Sequence, residues 1–126
     1  MAKTIIKTSN APAPIGPYNQ AVMTGNMLFI SGQICIDPAT GNMKNANVQE
    51  ETHQVMKNLQ AILQEAGMSF SNVVKTSIFI TDMNRFAEIN EAYGKYFESE
   101  FPARETVQVS ALPKFVNVEI SMIAVG

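Results

Sequence analysis

Val73-Val74-Lys75-Thr76-Ser77-Ile78-Phe79-Ile80 decides the fold, because it reads as a strand whose two parities both hold apolar residues. A strand with one face on a core alternates, whereas a strand apolar at both parities is covered on both sides. Helical patterns flank it. Over residues 48–66, Val48, Thr52, Val55, Met56, Leu59, Ile62, Leu63 and Ala66 recur at three- and four-residue spacing, and Gly67 supplies the stop. Asp82 is a good N-cap for a second helix expected over 82–98, with Met83, Phe86, Ile89, Tyr93 and Phe97 facing inward. Upstream, residues 4–7 read as a short strand, and 21–24 with 27–34 flank Gly25-Asn26, a tight hairpin signal. Between them, the three prolines of residues 10–17 deny that stretch ladder donors and make it a loop. Downstream come two more strands, around Arg104–Val109 and Val118–Val125. The order of strands, helix, strand, helix, strand, strand predicts an α+β fold: a mixed sheet of about six strands with two helices on one face.

Two helices cover only one face of such a sheet. Met122-Ile123-Ala124-Val125 is apolar at every position, like the strand at 73–80. The uncovered face would be a larger apolar patch than soluble monomers usually carry, which predicts a closed homo-oligomer whose sheets face one another. Composition agrees: of 126 residues 46% are hydrophobic and only 16% charged, so part of the surface is expected to lie against a partner. The length fits a single domain spanning 1–126. A net charge of −2 provides no basic field for a phosphate backbone, and no nucleic-acid partner is expected. One cysteine, no signal-peptide pattern and no run of about 20 apolar residues lead us to expect a cytoplasmic protein without a membrane partner.

The two C-terminal strands hold the candidate chemistry. Taking Val107 and Val109 as the core face of one, and Val118, Ile120, Met122 and Ala124 as that of the other, alternation sends Arg104, Thr106, Gln108, Glu119 and Ser121 to the polar face. The connection over 110–116 suits a β-hairpin, which places Glu119 opposite Thr106 and Arg104 two residues along, about 7 Å away at a rise of ~3.3 Å per residue. A small anionic molecule fits between a guanidinium and a carboxylate so arranged. The residues alone equally allow Arg104 as a surface or interface ion pair and Glu119 as a solvated residue of an edge strand.

Other chemistries find no support. Ser31 lacks a His/Asp pair, since the single histidine, His53, falls on the polar side of the first helix. His53 and Cys35 have no ligand spacing around them, and neither G-x-G-x-x-G nor G-x-x-x-x-G-K-[ST] occurs. The eight methionines read as core packing. Any catalysis is therefore expected to need no cofactor and no metal.

Seven fragments in order then matter together: Gly16-Pro-Tyr-Asn-Gln-Ala21, Ile30-Ser-Gly-Gln33, Asp37-Pro-x-Thr-Gly41, Asn90-x-x-Tyr93-x-x-x-Phe97, Pro102-Ala-Arg104, Ala111-Leu-Pro113 and Val118-Glu-Ile120. Each is weak singly, but their ordered combination strongly resembles the Rid (YjgF-like) imine-deaminase family from about residue 3 to 125. The resemblance implies a chorismate-mutase-like protomer and a homotrimer with a barrel-like centre and three inter-subunit clefts. It implies hydrolysis of reactive 2-imino acids, the enamine/imine products of pyridoxal-phosphate enzymes, to 2-oxo acids and ammonia, a protection against metabolite damage. By motif, Arg104 would bind the substrate carboxylate and Glu119 would orient or activate water. Tyr18, Ser31 and Asn90 would line the cleft, and backbone groups of Gly32 and Thr106 would help place the ligand. Three departures stand out: Thr106 where many relatives have cysteine, a bulky acidic Glu105 after the arginine, and Cys35 in place of a frequent proline, where packing is its expected role. A non-catalytic small-carboxylate sensor on the same fold is the alternative, and RNA cleavage is a third class that the acidic balance disfavours.

Overall fold

The computed structural model describes residues 2–126. Six strands, β1 (Thr4–Ile6), β2 (Ala21–Thr24), β3 (Met27–Gln33), β4 (Val73–Ile80), β5 (Ala103–Gln108) and β6 (Val118–Val125), form one sheet in the order β1-β2-β3-β6-β4-β5. Helices α1 (Val48–Glu65) and α2 (Phe86–Gly94) pack on one face and against each other. All pairings are antiparallel except β4 with β5, which α2 joins as a parallel pair.

Local chemistry explains the elements. Gly25 turns the β2–β3 hairpin at φ 58°, a conformation open to glycine. The Asn47 side chain caps α1 by accepting from Glu50 N at 2.8 Å, while Glu50 Oε1 accepts from Ala46 N at 3.1 Å. Gly67 at φ 74° ends it. The second helix is shorter than expected. Asp82 caps a 3-10 turn at Met83–Arg85 by accepting from Asn84 N, α2 proper begins at Phe86, and it stops at Gly94. Ile89 and Tyr93 are buried, but Met83 is exposed because it belongs to that turn rather than to the inner face.

The core lies between helices and sheet. Val55, Met56, Leu59, Ile62 and Leu63 from α1 meet Leu28, Ile30, Ile78, Ile80, Val118, Ile120, Met122 and Ala124. Cys35 is fully buried there, and burial together with the charge of Glu51 pushes its thiol up to about 11, so it packs rather than reacts. Glu51, on α1, is itself fully buried. Its carboxylate accepts from Asn117 N (2.7 Å), Asn117 Nδ2 (3.0 Å) and Val118 N (2.8 Å), tying α1 to the first residue of β6.

Two sequence expectations about the last strands fail. There is no hairpin between β5 and β6, because β4 lies between them. The faces also differ. Ile30, Met122, Thr76 and Arg104 stand in one register row, and Ile120, Ile78 and Thr106 in another, both on the helix side. Glu119, Phe79 and Val107 form a row on the opposite side. Glu119 is therefore not opposite Thr106, and it leaves the sheet on the face away from Arg104. Val107, expected in the core, is exposed on the open face with Met27 and Phe29. The open face carries Met27, Phe29, Phe79 and Val107 beside the polar Lys75, Ser77, Glu105 and Glu119, and β5 contributes valine to it instead of to the core.

Candidate functional site

The expected site residues separate into two places. Tyr18, Ser31, Gly32 and Glu119 line one cavity of about 350 Å³, and Asn90 and Arg104 line another of about 390 Å³. The two share no lining residue.

The first cavity is built by the proline loop and an irregularity in β3. Gln20, buried at the end of that loop, accepts from Thr8 N (2.7 Å) and donates to the carbonyls of Thr8, Ala11 and Pro12 at 2.8–3.2 Å. It therefore holds in place a segment that cannot join the sheet. Gln20 stands in the first of the seven family fragments, but sequence reasoning gave it no role of its own. Tyr18 folds back so that its hydroxyl accepts from Ile15 N at 3.2 Å. The β3–β6 register shifts between Ile30 and Gln33, and within that shift Ser31 donates from Oγ to Asn19 O at 2.6 Å. Gly32 lies directly on the Glu119 carboxyl group: a Cβ there would meet Glu119 Cδ at 2.8 Å and Cγ at 3.0 Å, with Oε2 closer still. Burial raises the Glu119 pKa above its ordinary value. A carboxyl moved towards neutrality can accept a proton and return it at working pH. Pro113, Ile34 and Ile36 complete the wall.

At the second place, Arg104 Nη1 donates to Asn90 Oδ1 at 2.6 Å, and its guanidinium carbon sits 5.3 Å from the Tyr93 ring and 5.6 Å from Phe86. The rings fix the plane of the fork while leaving the cation exposed. Tyr93 stays neutral beneath it, since burial raises its phenol pKa, and its hydroxyl donates to Thr76 Oγ1 at 3.1 Å. Glu105 does not compete for the cation. It lies on the open face, where the Ser77 hydroxyl donates to it at 2.7 Å, Lys75 Nζ stands 3.7 Å away, and its pKa is lowered, the Ser77 hydrogen bond being the larger cause.

Thr106 lines neither cavity. Its hydroxyl is buried without a hydrogen-bond partner among the described residues. Leaving such a group unpaired costs about 1–3 kcal/mol, so Thr106→Val, which keeps the branched shape, should be neutral or stabilising by about 1 kcal/mol in urea denaturation. A clear destabilisation would mean the hydroxyl finds a partner in the assembled protein.

Among the described residues no three of His, Cys, Asp and Glu gather to hold a metal ion, and His53 is engaged with the Tyr96 hydroxyl at 3.0 Å. No described helix is long and apolar enough to cross a membrane.

A family model described as Endoribonuclease L-PSP matches residues 8–126. The chain belongs to this family, that of the Rid (YjgF-like) proteins. A RutC family protein of Pyrococcus horikoshii is 51% identical over 97% of each chain. The human 2-iminobutanoate/2-iminopropanoate deaminase is 46% identical over 99% of this chain and 91% of its own. The structure of Escherichia coli TdcF with bound serine superposes with a TM-score of 0.94 at 45% identity, covering 98% of both chains. This Rid protein therefore has the α+β architecture of its solved relatives, a six-stranded mixed sheet with two helices on one face.

Proposed function

We propose that this protein hydrolyses reactive 2-imino acids to 2-oxo acids and ammonia without a cofactor, as a cytoplasmic homotrimer that limits metabolite damage. The observation that carries the reading is the split site. An oriented guanidinium and a carboxyl of raised pKa stand on opposite faces of one sheet, so a second copy is what brings them together. The exposed apolar side chains Met27, Phe29 and Val107 on the open face give the copies a reason to associate through their sheets. The Arg104–Asn90 edge of one copy then meets the Tyr18–Ser31–Gly32–Glu119 cavity of the next. The deaminase name of the human relative and the serine held by the Escherichia coli one, a carboxylate beside a nitrogen-bearing carbon, both support this chemistry.

In the reaction the fork of Arg104 grips the carboxylate that does not react. Glu119 takes a proton from water as the oxygen bonds to the imine carbon, and the carbon–nitrogen π electrons move onto nitrogen. The proton passes to that nitrogen to give a 2-amino-2-hydroxy acid; Glu119 then carries the hydroxyl proton to the amine while the oxygen's electrons form the carbonyl, the carbon–nitrogen bond breaks, and ammonia leaves a 2-oxo acid. An iminium carbon is already electrophilic, so positioning supplies much of the rate.

The test is release of 2-oxobutanoate from freshly generated 2-iminobutanoate, with the mass in solution followed by light scattering. Since Glu119 must be ionised to act as a base, kcat/KM should rise with pH through a midpoint above the ordinary glutamate range. Glu119→Gln should abolish that limb and lower kcat/KM by about 10²–10⁴-fold. A stable monomer, or a variant with wild-type turnover, overturns the proposal. Binding of 2-oxobutanoate with no turnover assigns the small-carboxylate sensor instead.

A further inference from the structure

Gln33, the last residue of β3, is buried, with 6% of its surface exposed. Its side-chain amide nevertheless meets no hydrogen-bond partner among the described residues, and both polar atoms stay open to solvent. Buried amides are ordinarily paired, and leaving one unpaired is costly. The opening that Gln33 lines is the Glu119 cavity.

The other polar side chains of that cavity are committed. Gln20 makes four bonds to the proline loop, Ser31 gives its proton to Asn19 O, and the Tyr18 hydroxyl accepts from Ile15 N. Glu119 serves the reacting end of the substrate, which leaves Gln33. Exposure also grades along the cavity. Ile15 (57%) and Tyr18 (44%) stand at its mouth, whereas Gln20 (2%), Gln33 and Ile34 (8%) form its floor. A second copy that closes the mouth therefore leaves the floor to the ligand. β2 begins at Ala21, opposite Ile30, so residues 31–33 have β6 on one side and the proline loop on the other. Gln33 pairs with Ile120 and turns to the helix side, while Glu119 turns to the open face. The cavity lined by both passes around this edge of β3, where Gly32 contributes no side chain.

We propose that Gln33 is a specificity-determining residue, and that the site favours 2-imino acids whose side chain ends in a primary amide or a hydroxyl over apolar ones of the same shape. This rests on the imine-hydrolysis reading above. With the reacting carbon at Glu119, the substrate's side chain passes Gly32 and ends on the Gln33 amide, whose oxygen accepts and whose NH2 donates. An apolar side chain strips water from that amide without replacing its hydrogen bonds. The chemical step and its proton balance are those already given.

Wild type and Gln33→Met are to be compared on imino acids generated from asparagine and from leucine by an amino-acid oxidase, and on calorimetric binding of the two corresponding 2-oxo acids. These substrates match in shape and differ in the terminal group. Methionine keeps the length and volume of glutamine, and the amide it removes bonds nothing in the protomer, so the variant keeps its fold. In the wild type, kcat/KM for the amide substrate should exceed that for the leucine-derived one by about tenfold or more. The ratio should fall about tenfold in the variant, with the affinities for the 2-oxo acids moving in parallel. An equal ratio in both proteins overturns the assignment, as does a wild type that prefers the leucine-derived substrate. A variant that slows both substrates alike also overturns it, because Gln33 then supports the site without selecting. If neither imine is hydrolysed but the amide-bearing 2-oxo acid is preferred through Gln33, the deaminase reading falls and the specificity assignment stands. Turnover without any side-chain preference does the reverse.

Discussion

Replacing Arg104 by alanine is expected to lower kcat/KM for 2-iminobutanoate by about 10²–10⁴-fold, the equivalent of two charge-assisted hydrogen bonds to a carboxylate at ~1.5–3 kcal/mol each. The protein should remain folded. Arg104 is exposed, and its contacts within the protomer are one hydrogen bond to Asn90 and two aromatic faces. Their loss removes about 1 kcal/mol of stability. Arg104→Lys should recover only part of the activity, because a lysine keeps the charge without the planar fork that Tyr93 and Phe86 orient. If Arg104→Ala turns over at the wild-type rate, the carboxylate is bound elsewhere and the mechanism is wrong.

Glu51→Leu should be the most destabilising single change in the protein. Leucine fills a similar volume but leaves three donors, Asn117 N, Asn117 Nδ2 and Val118 N, without their acceptor inside the core. Breaking a buried charged arrangement from one side removes about 3–5 kcal/mol. At ~3–5 °C per kcal/mol for a chain of this length, Tm should fall by roughly 10–20 °C at fixed protein concentration. The effect should reach the site too, since those donors begin the strand that carries Glu119 one residue later. A Tm within a few degrees of wild type would show that water replaces the carboxylate and that the buried acid holds nothing in place.

The sequence announced α1 almost to the residue, because a three- and four-residue repeat and a glycine after it agree with one another. It also announced the β2–β3 hairpin through Gly25-Asn26. Strand order was not legible. The connection over 110–116 is short enough for a hairpin, and nothing local reveals that β4 inserts between β5 and β6. The face of β5 was misread for a related reason. Val107 turns towards the open sheet face while Thr106 turns towards the helices, so alternation was right and its direction was not. A strand apolar on its outer face defeats the rule that apolar means inward. The consequence for the site was large: the family motifs name Arg104 and Glu119 together, and the fold of one chain sets them on opposite faces. Glu51 was invisible for another reason. An acid in the first turn of a helix ordinarily marks favourable interaction with the helix dipole, and only the three-dimensional neighbourhood of Asn117 makes it a core residue.

The contact between Gly32 and Glu119 constrains how this protein can change over time. A methyl group at position 32 would overlap the carboxyl group at position 119, so the smallest available step at one position already displaces the other. A substitution at 32 therefore acts directly on the acid, turning its flexible side chain aside and moving the carboxyl group. Replacing the glycine thus reshapes this cavity even where the residue at 119 is kept.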